Sequence, residues 1–185
     1  SAVDLSWAKA HAAAVLQERF TERTAKTAVA ADVGPVTLWC SPDIDRASFQ
    51  DLASRFPIAL KLQPDGDLGD RILGAIAAQN GPTLVVGTDC PALNAEHLRA
   101  AAAALDDADV VLIPAEDGGY VLIGARAIHP ELFSGIPWGT SSVLADTRTR
   151  IAAFDLTAVE LPTLWDVDTE ADLDRFERTF PELAL

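Results

Sequence analysis

The chemistry this sequence can offer lies in aspartates that follow apolar runs and sit beside glycine or proline. In Thr83-Leu84-Val85-Val86-Gly87-Thr88-Asp89-Cys90-Pro91, Asp89 comes just past an uninterrupted apolar run. Such a run suits a strand buried on both faces of a sheet. Ligands of open α/β sheets bind at the carboxyl ends of the strands. A carboxylate there can hold a divalent cation that carries phosphates, because such ions prefer oxygen ligands. It can equally cap the following helix or close a turn.

Four further polar groups have the same character. In Gln63-Pro64-Asp65-Gly66-Asp67-Leu68-Gly69-Asp70-Arg71, the glycines let backbone approach a ligand, and a helix N-terminus follows where amides can face an anion. Arg71 can pair with phosphate; the alternative is an ordinary loop with a capping Asp. In Glu116-Asp117-Gly118-Gly119-Tyr120, Asp117 can act as a general base towards an acceptor hydroxyl, and Tyr120 can add a hydroxyl or a ring face. Asp-Gly and Gly-Gly are also hairpin signals. In Ile136-Pro137-Trp138-Gly139-Thr140, Trp138 can stack on a base or sugar, or serve the core. In Trp165-Asp166-Val167-Asp168-Thr169, alternation puts Asp166 and Asp168 on one side of an extended segment. One of them could approach Asp89 and complete a Mg²⁺ or Mn²⁺ site; a capping role for Asp168 competes.

The elements that must position these groups follow from periodicity and punctuation. Asp4 or Ser6 can cap a long helix to about Ala31, with Leu5, Ala8, Ala12, Val15, Leu16 and Phe20 at helical spacing. Strands are expected at 36–40, 58–62, 83–86, 109–114, 120–123 and 156–161. Helices are expected at 45–55, 68–79, from the Asn94 cap to 105, from a Thr140 cap to 153, and from a Thr169 cap with Asp172 completing a capping box. Strands alternating with helices indicate a mainly parallel sheet covered on both faces, with one hairpin or bent strand at Asp117-Gly118-Gly119 breaking the order. No repeat or linker divides the chain, so residues 1–185 read as a single domain.

Composition narrows the classes. The 185 residues, 49% hydrophobic, suffice for one real core. With 28 acidic against 14 basic residues, the formal charge of −14 disfavours nucleic acid and anionic membrane surfaces as partners. Cys40 and Cys90 do not suggest a disulfide framework, and a reducing, cytoplasmic setting fits them better. His11, His97 and His129 form no zinc-ligand spacing with them. No apolar run approaches the roughly 20 residues of a membrane span, and no signal peptide is visible. Lacking an initiator Met, Ser1 reads as an artificial, processed or truncated beginning.

In order, Gln-Pro-Asp-Gly-Asp-Leu-Gly at 63–69, Gly-Thr-Asp-Cys-Pro at 87–91, Pro-Ala-Glu-Asp-Gly-Gly-Tyr at 114–120, Ile-Pro-Trp at 136–138 and Asp-Val-Asp-Thr at 166–169 resemble a bacterial family named as glycosyltransferases. That family was long catalogued as a domain of unknown function, and some members are linked to arsenosugar biosynthesis. It belongs to the nucleotide-diphospho-sugar transferase superfamily, and the resemblance runs from about Leu16 to the C-terminus. It implies a Rossmann-like glycosyltransferase A fold and a metal-dependent transfer of sugar from a nucleotide-diphospho-sugar to a small-molecule hydroxyl. Asp89 then stands at the superfamily's metal-binding Asp, and Asp168 at the second residue near a Mg²⁺ or Mn²⁺ ion. Gln63, Gly66, Asp67, Gly69 and Arg71 would line the nucleotide, with Thr88 and Thr140 as further binding candidates. Gly118, Gly119, Tyr120 and Trp138 would face donor sugar or acceptor, with Asp117 as catalytic base.

One departure stands out. Family members begin with a central strand and a basic phosphate loop, and nothing in Ser1 to Ala14 reproduces either. The sheet is therefore expected to lack its N-terminal strand and the donor site its cationic wall, through loss from this chain rather than natural absence. Weak binding of a nucleotide sugar by this chain alone is the consequence. Alternatives are a nucleotidyltransferase that releases pyrophosphate from a nucleoside triphosphate, and a non-catalytic binding protein of the same fold.

Overall fold

A computed structural model of the protein describes residues 5–183, with side chains from Ala12 onward. Asp4, offered above as a cap, and the side chains of Leu5, Ser6, Ala8 and His11 lie outside the described residues. The order is α1 (Leu5–Ala31), β1 (Val36–Cys40), α2 (Ala47–Arg55), β2 (Ile58–Leu62), α3 (Leu68–Ala77), β3 (Thr83–Val86), α4 (Ala95–Ala104), β4 (Val110–Pro114), β5 (Tyr120–Ala125), α5 (Val143–Ala153), β6 (Ala158–Glu160) and α6 (Glu170–Thr179). Short 3₁₀ turns occupy Pro130–Leu132 and Pro181–Leu183.

The strands form two sheets. β1 and β2 pair in parallel, and β3-β5-β4-β6 make the larger sheet. There β5 is antiparallel to both β3 and β4, while β4 and β6 are parallel. Three of the four strands thus share one direction and β5 alone is reversed, as the Asp117-Gly118-Gly119 return requires. A cavity of about 1590 Å³ opens between the edge of β1 and the edge of β3.

β4 is the centre of the core because it has a neighbour on each side and helices on both faces. Val110, Val111, Leu112 and Ile113 are completely buried. Val111 and Ile113 join Leu98 and Ala101 of α4 and Leu105 at its end on one face, whereas Val110 and Leu112 join Ile72, Ile76 and Ile151 on the other. This is the period-2 alternation of a strand buried on both sides.

Two helix starts differ from the sequence expectation. α2 begins at Ala47 behind Arg46, with no side-chain cap, rather than at Asp45. α5 begins behind Ser142 instead of a Thr140 cap, because Thr140 Oγ1 donates to Pro137 O (2.7 Å) and so closes the preceding turn. The caps at Asn94 and Thr169 are as expected, and both are capping boxes. At the first of them His97 Nδ1 accepts from Asn94 N (3.0 Å).

Candidate functional site

Three chain segments converge where β3 and β4 end. The first is the turn between β4 and β5. Ala115 N donates to Gly119 O (3.0 Å), Gly118 N to Ala115 O (3.2 Å), and Gly119 N to Asp117 Oδ1 (2.9 Å). Gly118 has φ +94, and a Cβ there would lie 2.2 Å from Ser141 O. Leu144 N also donates to Gly118 O (2.9 Å). The turn is clamped against the start of α5 at a position only glycine can fill.

The second segment, 164–168, lies along the end of β4 as a short extended stretch. Leu164 N donates to Pro114 O (2.9 Å), and Glu116 N donates to Leu164 O (3.0 Å). Beneath it Trp165 is buried with Phe20 of α1 and Phe176 of α6. Arg175 stacks over the Trp165 ring at 4.2 Å and pairs with Glu116 at 2.6 Å. One α6 side chain therefore ties together the neighbours of Asp117 and Asp166. The third segment carries Asp89, whose backbone oxygen accepts from Val167 N (2.9 Å).

Asp117, Asp166 and Asp168 come together, each offering an oxygen within 4.8 Å of the others. Burial, and then repulsion from Asp89, Asp117, Asp168 and Asp172, pushes the Asp166 carboxyl up to about 7. Burial and the charges of Asp89, Asp117 and Asp172 also raise Asp168. Asp89 thus stands close enough to disfavour ionisation of its neighbours without being one of the three. Alternation puts Asp166 and Asp168 on one side of the chain, and the family resemblance singles out Asp168; both belong to the cluster. Cys90 is not a nucleophile at neutral pH, since burial and then Asp166 push its thiol up to about 11.

Oxygens bound to one Ca²⁺ can stand up to about 5 Å apart and those on one Mg²⁺ only about 4 Å. The trio, within 4.8 Å, spans the larger ion as it stands and closes on the smaller with a small side-chain movement; its hard carboxylates suit either, and their mutual repulsion is what a cation would relieve. The residues therefore fit the ion.

The remaining candidates divide. Gln63, Arg71, Thr88 and Asp89 all border the large cavity. Gln63 Nε2 donates to Trp39 O (3.1 Å), and its Oε1 is buried without a partner. Thr88 Oγ1 accepts from Gln17 Nε2 of α1 (2.9 Å), a residue that carried no motif and was not singled out. Tyr120 and Trp138 meet edge to face at 6.4 Å, and both Tyr120 Oη and Trp138 Nε1 are buried without a hydrogen-bond partner. Tyr120 reaches this face through a β-bulge. The register steps from Ile113↔Leu122 to Pro114↔Tyr120, which leaves Val121 as the extra residue. Burial pushes the Tyr120 phenol up to about 12.

Three glycine-loop candidates have structural employment instead. Asp67 Oδ1 accepts from Asp70 N and Asp70 Oδ2 from Asp67 N, both at 2.9 Å, in a capping box. Gly66 takes φ +109 over the Asp70 side chain. Gly69 is buried, and a Cβ there would meet Phe133 O at 2.7 Å and the Trp138 ring at 3.0 Å. Its lack of a side chain is required by helix packing, a structural reason for the glycine that the sequence does not display.

A family model described as "Uncharacterized protein conserved in bacteria (DUF2064)" matches residues 24–140, which hold β1 to β5 and Asp89, Asp117 and Trp138. The chain belongs to this family. Its structure is also similar to the crystal structure of a "putative nucleotide-diphospho-sugar transferase" from Desulfovibrio desulfuricans G20. The TM-score is 0.81 and the identity 28%, over 91% of this chain and 75% of that one. No curated protein matches the sequence. No described helix is long and apolar enough to cross a membrane.

Proposed function

We propose that this protein transfers a sugar from a nucleotide-diphospho-sugar to the hydroxyl of a small-molecule acceptor, with Mg²⁺ or Mn²⁺ held by Asp117, Asp166 and Asp168. The observation that carries this reading is the convergence of three carboxylates at the strand ends of a fold shared with the solved relative. When bound, the ion would supply positive charge facing the diphosphate leaving group.

The chain's own residues do the rest. The Glu116–Arg175–Trp165 clamp fixes two of the three acidic segments, so the ligand oxygens need little ordering when an ion binds. Asp89 adds charge at the edge of the cluster and keeps it attractive to cations. Arg71, exposed on the cavity wall, is available to phosphate oxygens. Asp117, expected from sequence to be a base, is read here as a ligand. Its Oδ1 is held by Gly119 N, which leaves the other oxygen free.

The test is a thermal-shift panel of nucleotide-diphospho-sugars with and without MnCl₂, followed by product analysis. A stabilisation that requires both ligand and metal, with release of a nucleoside diphosphate, is expected. Release of pyrophosphate from a nucleoside triphosphate would replace the reading with nucleotidyl transfer.

A further inference from the structure

Asp89 lies on the loop between β3 and α4, so its place beside the acidic cluster depends on what holds that loop. Gly87 N, donating to Val121 O, ties the start of the loop to β5, and Asp89 O accepts from Val167 N of the acidic segment. The other two holds are side chains of α1. Gln17 Nε2 donates to Thr88 Oγ1 (2.9 Å), just before Asp89, and Arg23 Nε donates to Pro91 O (2.9 Å), just beyond it. The two bonds bracket Asp89.

Helical spacing explains how α1 reaches both ends of the loop. Gln17, Phe20 and Arg23 follow one another at intervals of three, so each neighbours the next on one side of the helix. Phe20, between the two polar residues, meets Phe176 edge to face at 5.3 Å and shares a buried cluster with Trp165. Ala92 from the loop and Val167 from the acidic segment both pack against that cluster. The two segments thus rest on one apolar floor, and alternation turns Asp166 and Asp168 away from it towards Asp117. Arg23 closes the arrangement, because its guanidinium also lies 5.5 Å over the Phe180 ring, which packs on Phe176 at 5.8 Å. Both partners are neutral. What Arg23 supplies is geometry: a donor for the carbonyl of a buried residue and a flat face for a ring.

We infer that Arg23, assisted by Gln17, is a positioning residue for Asp89. The two bonds from α1 hold the 87–91 loop down against residues 166–168 and so keep the Asp89 charge beside the cation site. Without a donor for Pro91 O the loop lifts from its floor, the bond from Val167 N to Asp89 O weakens, and the Asp89 charge withdraws. The consequence for affinity rests on the metal reading given above; the hold on the backbone is independent of it.

Arg23→Met keeps an unbranched stem over Phe180 but cannot donate to Pro91 O, whereas Arg23→Lys can. In the methionine variant the Val167 amide, whose acceptor is Asp89 O, is expected to exchange with solvent about tenfold faster, and lysine should recover most of the protection. Mn²⁺ affinity by calorimetry should fall about tenfold, the lower end of the loss for a group that acts on a metal through another residue. In an Asp89→Asn background the same methionine substitution should cost less than about twofold, because the charge it positions is gone. Unchanged exchange at Val167 overturns the inference. So does a tenfold loss of affinity that persists in the Asp89→Asn background, or a lysine variant no better than methionine. Should the wild type bind no Mn²⁺, the metal reading falls and the Val167 amide alone decides the positioning. Should Arg23→Met not fold, Gln17→Leu loosens the same loop from an exposed site. Exchange at Val167 about threefold faster is then expected, and equal exchange overturns the inference.

Discussion

Asp67 and Asp117 each stand beside a glycine in a loop that follows a strand, and the fold treats them in opposite ways. Asp67 Oδ1 accepts from Asp70 N and Asp70 Oδ2 accepts from Asp67 N, so the two acids close a reciprocal cap at the start of α3. Asp117 keeps one oxygen free and is brought up against Asp166 and Asp168. Reciprocal pairing with helix-start backbone, away from the acidic cluster, marks the first as a helix cap. Crowding of like charge, costly without a counter-ion, marks the second as a place for a cation.

The sharpest way to break this contrast is to remove one acid from the cluster and one from the cap and titrate Mn²⁺. Asp168→Asn is expected to weaken Mn²⁺ binding by at least about a hundredfold by calorimetry, more than the loss typical of an outer-sphere partner. Asp67→Asn should leave it unchanged. Equal affinities in the two variants would end the distinction between a cap and a ligand.

Element type was legible from the sequence because β3, β4 and the helices announce themselves by period and punctuation. The site was half legible. Alternation put Asp166 and Asp168 on one side, but bringing both to Asp117 needed the parallel bridge of Leu164 to Ala115, a long-range pairing with no local signal. The packing role of Gly69 was hidden because a glycine needed for close helix packing and one needed for ligand approach look identical in a string of letters. The groups that decide, the Phe133 carbonyl and the Trp138 ring, lie more than sixty positions away. Gln17 and Arg175 were invisible for the same reason, since a helix surface carries many polar residues and only the fold selects which meet the site.

A smaller effect follows from the same crowding. Asp166 ordinarily titrates at 3.8 and is pushed up to about 7. Between those values the folded protein holds a proton that the unfolded chain has released, so metal-free stability is greatest below the lower value and falls as pH rises through the upper one. Asp168, shifted the same way, adds to the slope. Glu22, held down to about 2 by Arg55, acts only at acid pH, whereas His97, lowered by burial, acts within a series from about pH 5 to 8 with the opposite sign, so the difference between wild type and Asp166→Asn isolates the cluster. Urea midpoints in EDTA should drop over that range by on the order of 2 kcal/mol, discounted for the partial exposure of Asp166. Asp166→Asn should flatten the slope. Equal slopes in the two proteins would mean that the carboxylates do not repel one another as placed.

The smallest effect sits on the other side of the contrast. Asp67→Ala removes the acceptor for Asp70 N and leaves a helix-start amide without its partner. The expected cost is about 1 kcal/mol, typical of an N-cap, because Asp67 is exposed and water can partly replace it. Asp70 still accepts from the residue 67 amide, so the loss should be confined to the start of α3. Two measurements separate the roles: the urea midpoint should fall, and Mn²⁺ affinity should stay within error of the parent. If the midpoint holds while metal or nucleotide binding collapses, then Asp67 belongs with the ligands and its capping box is incidental.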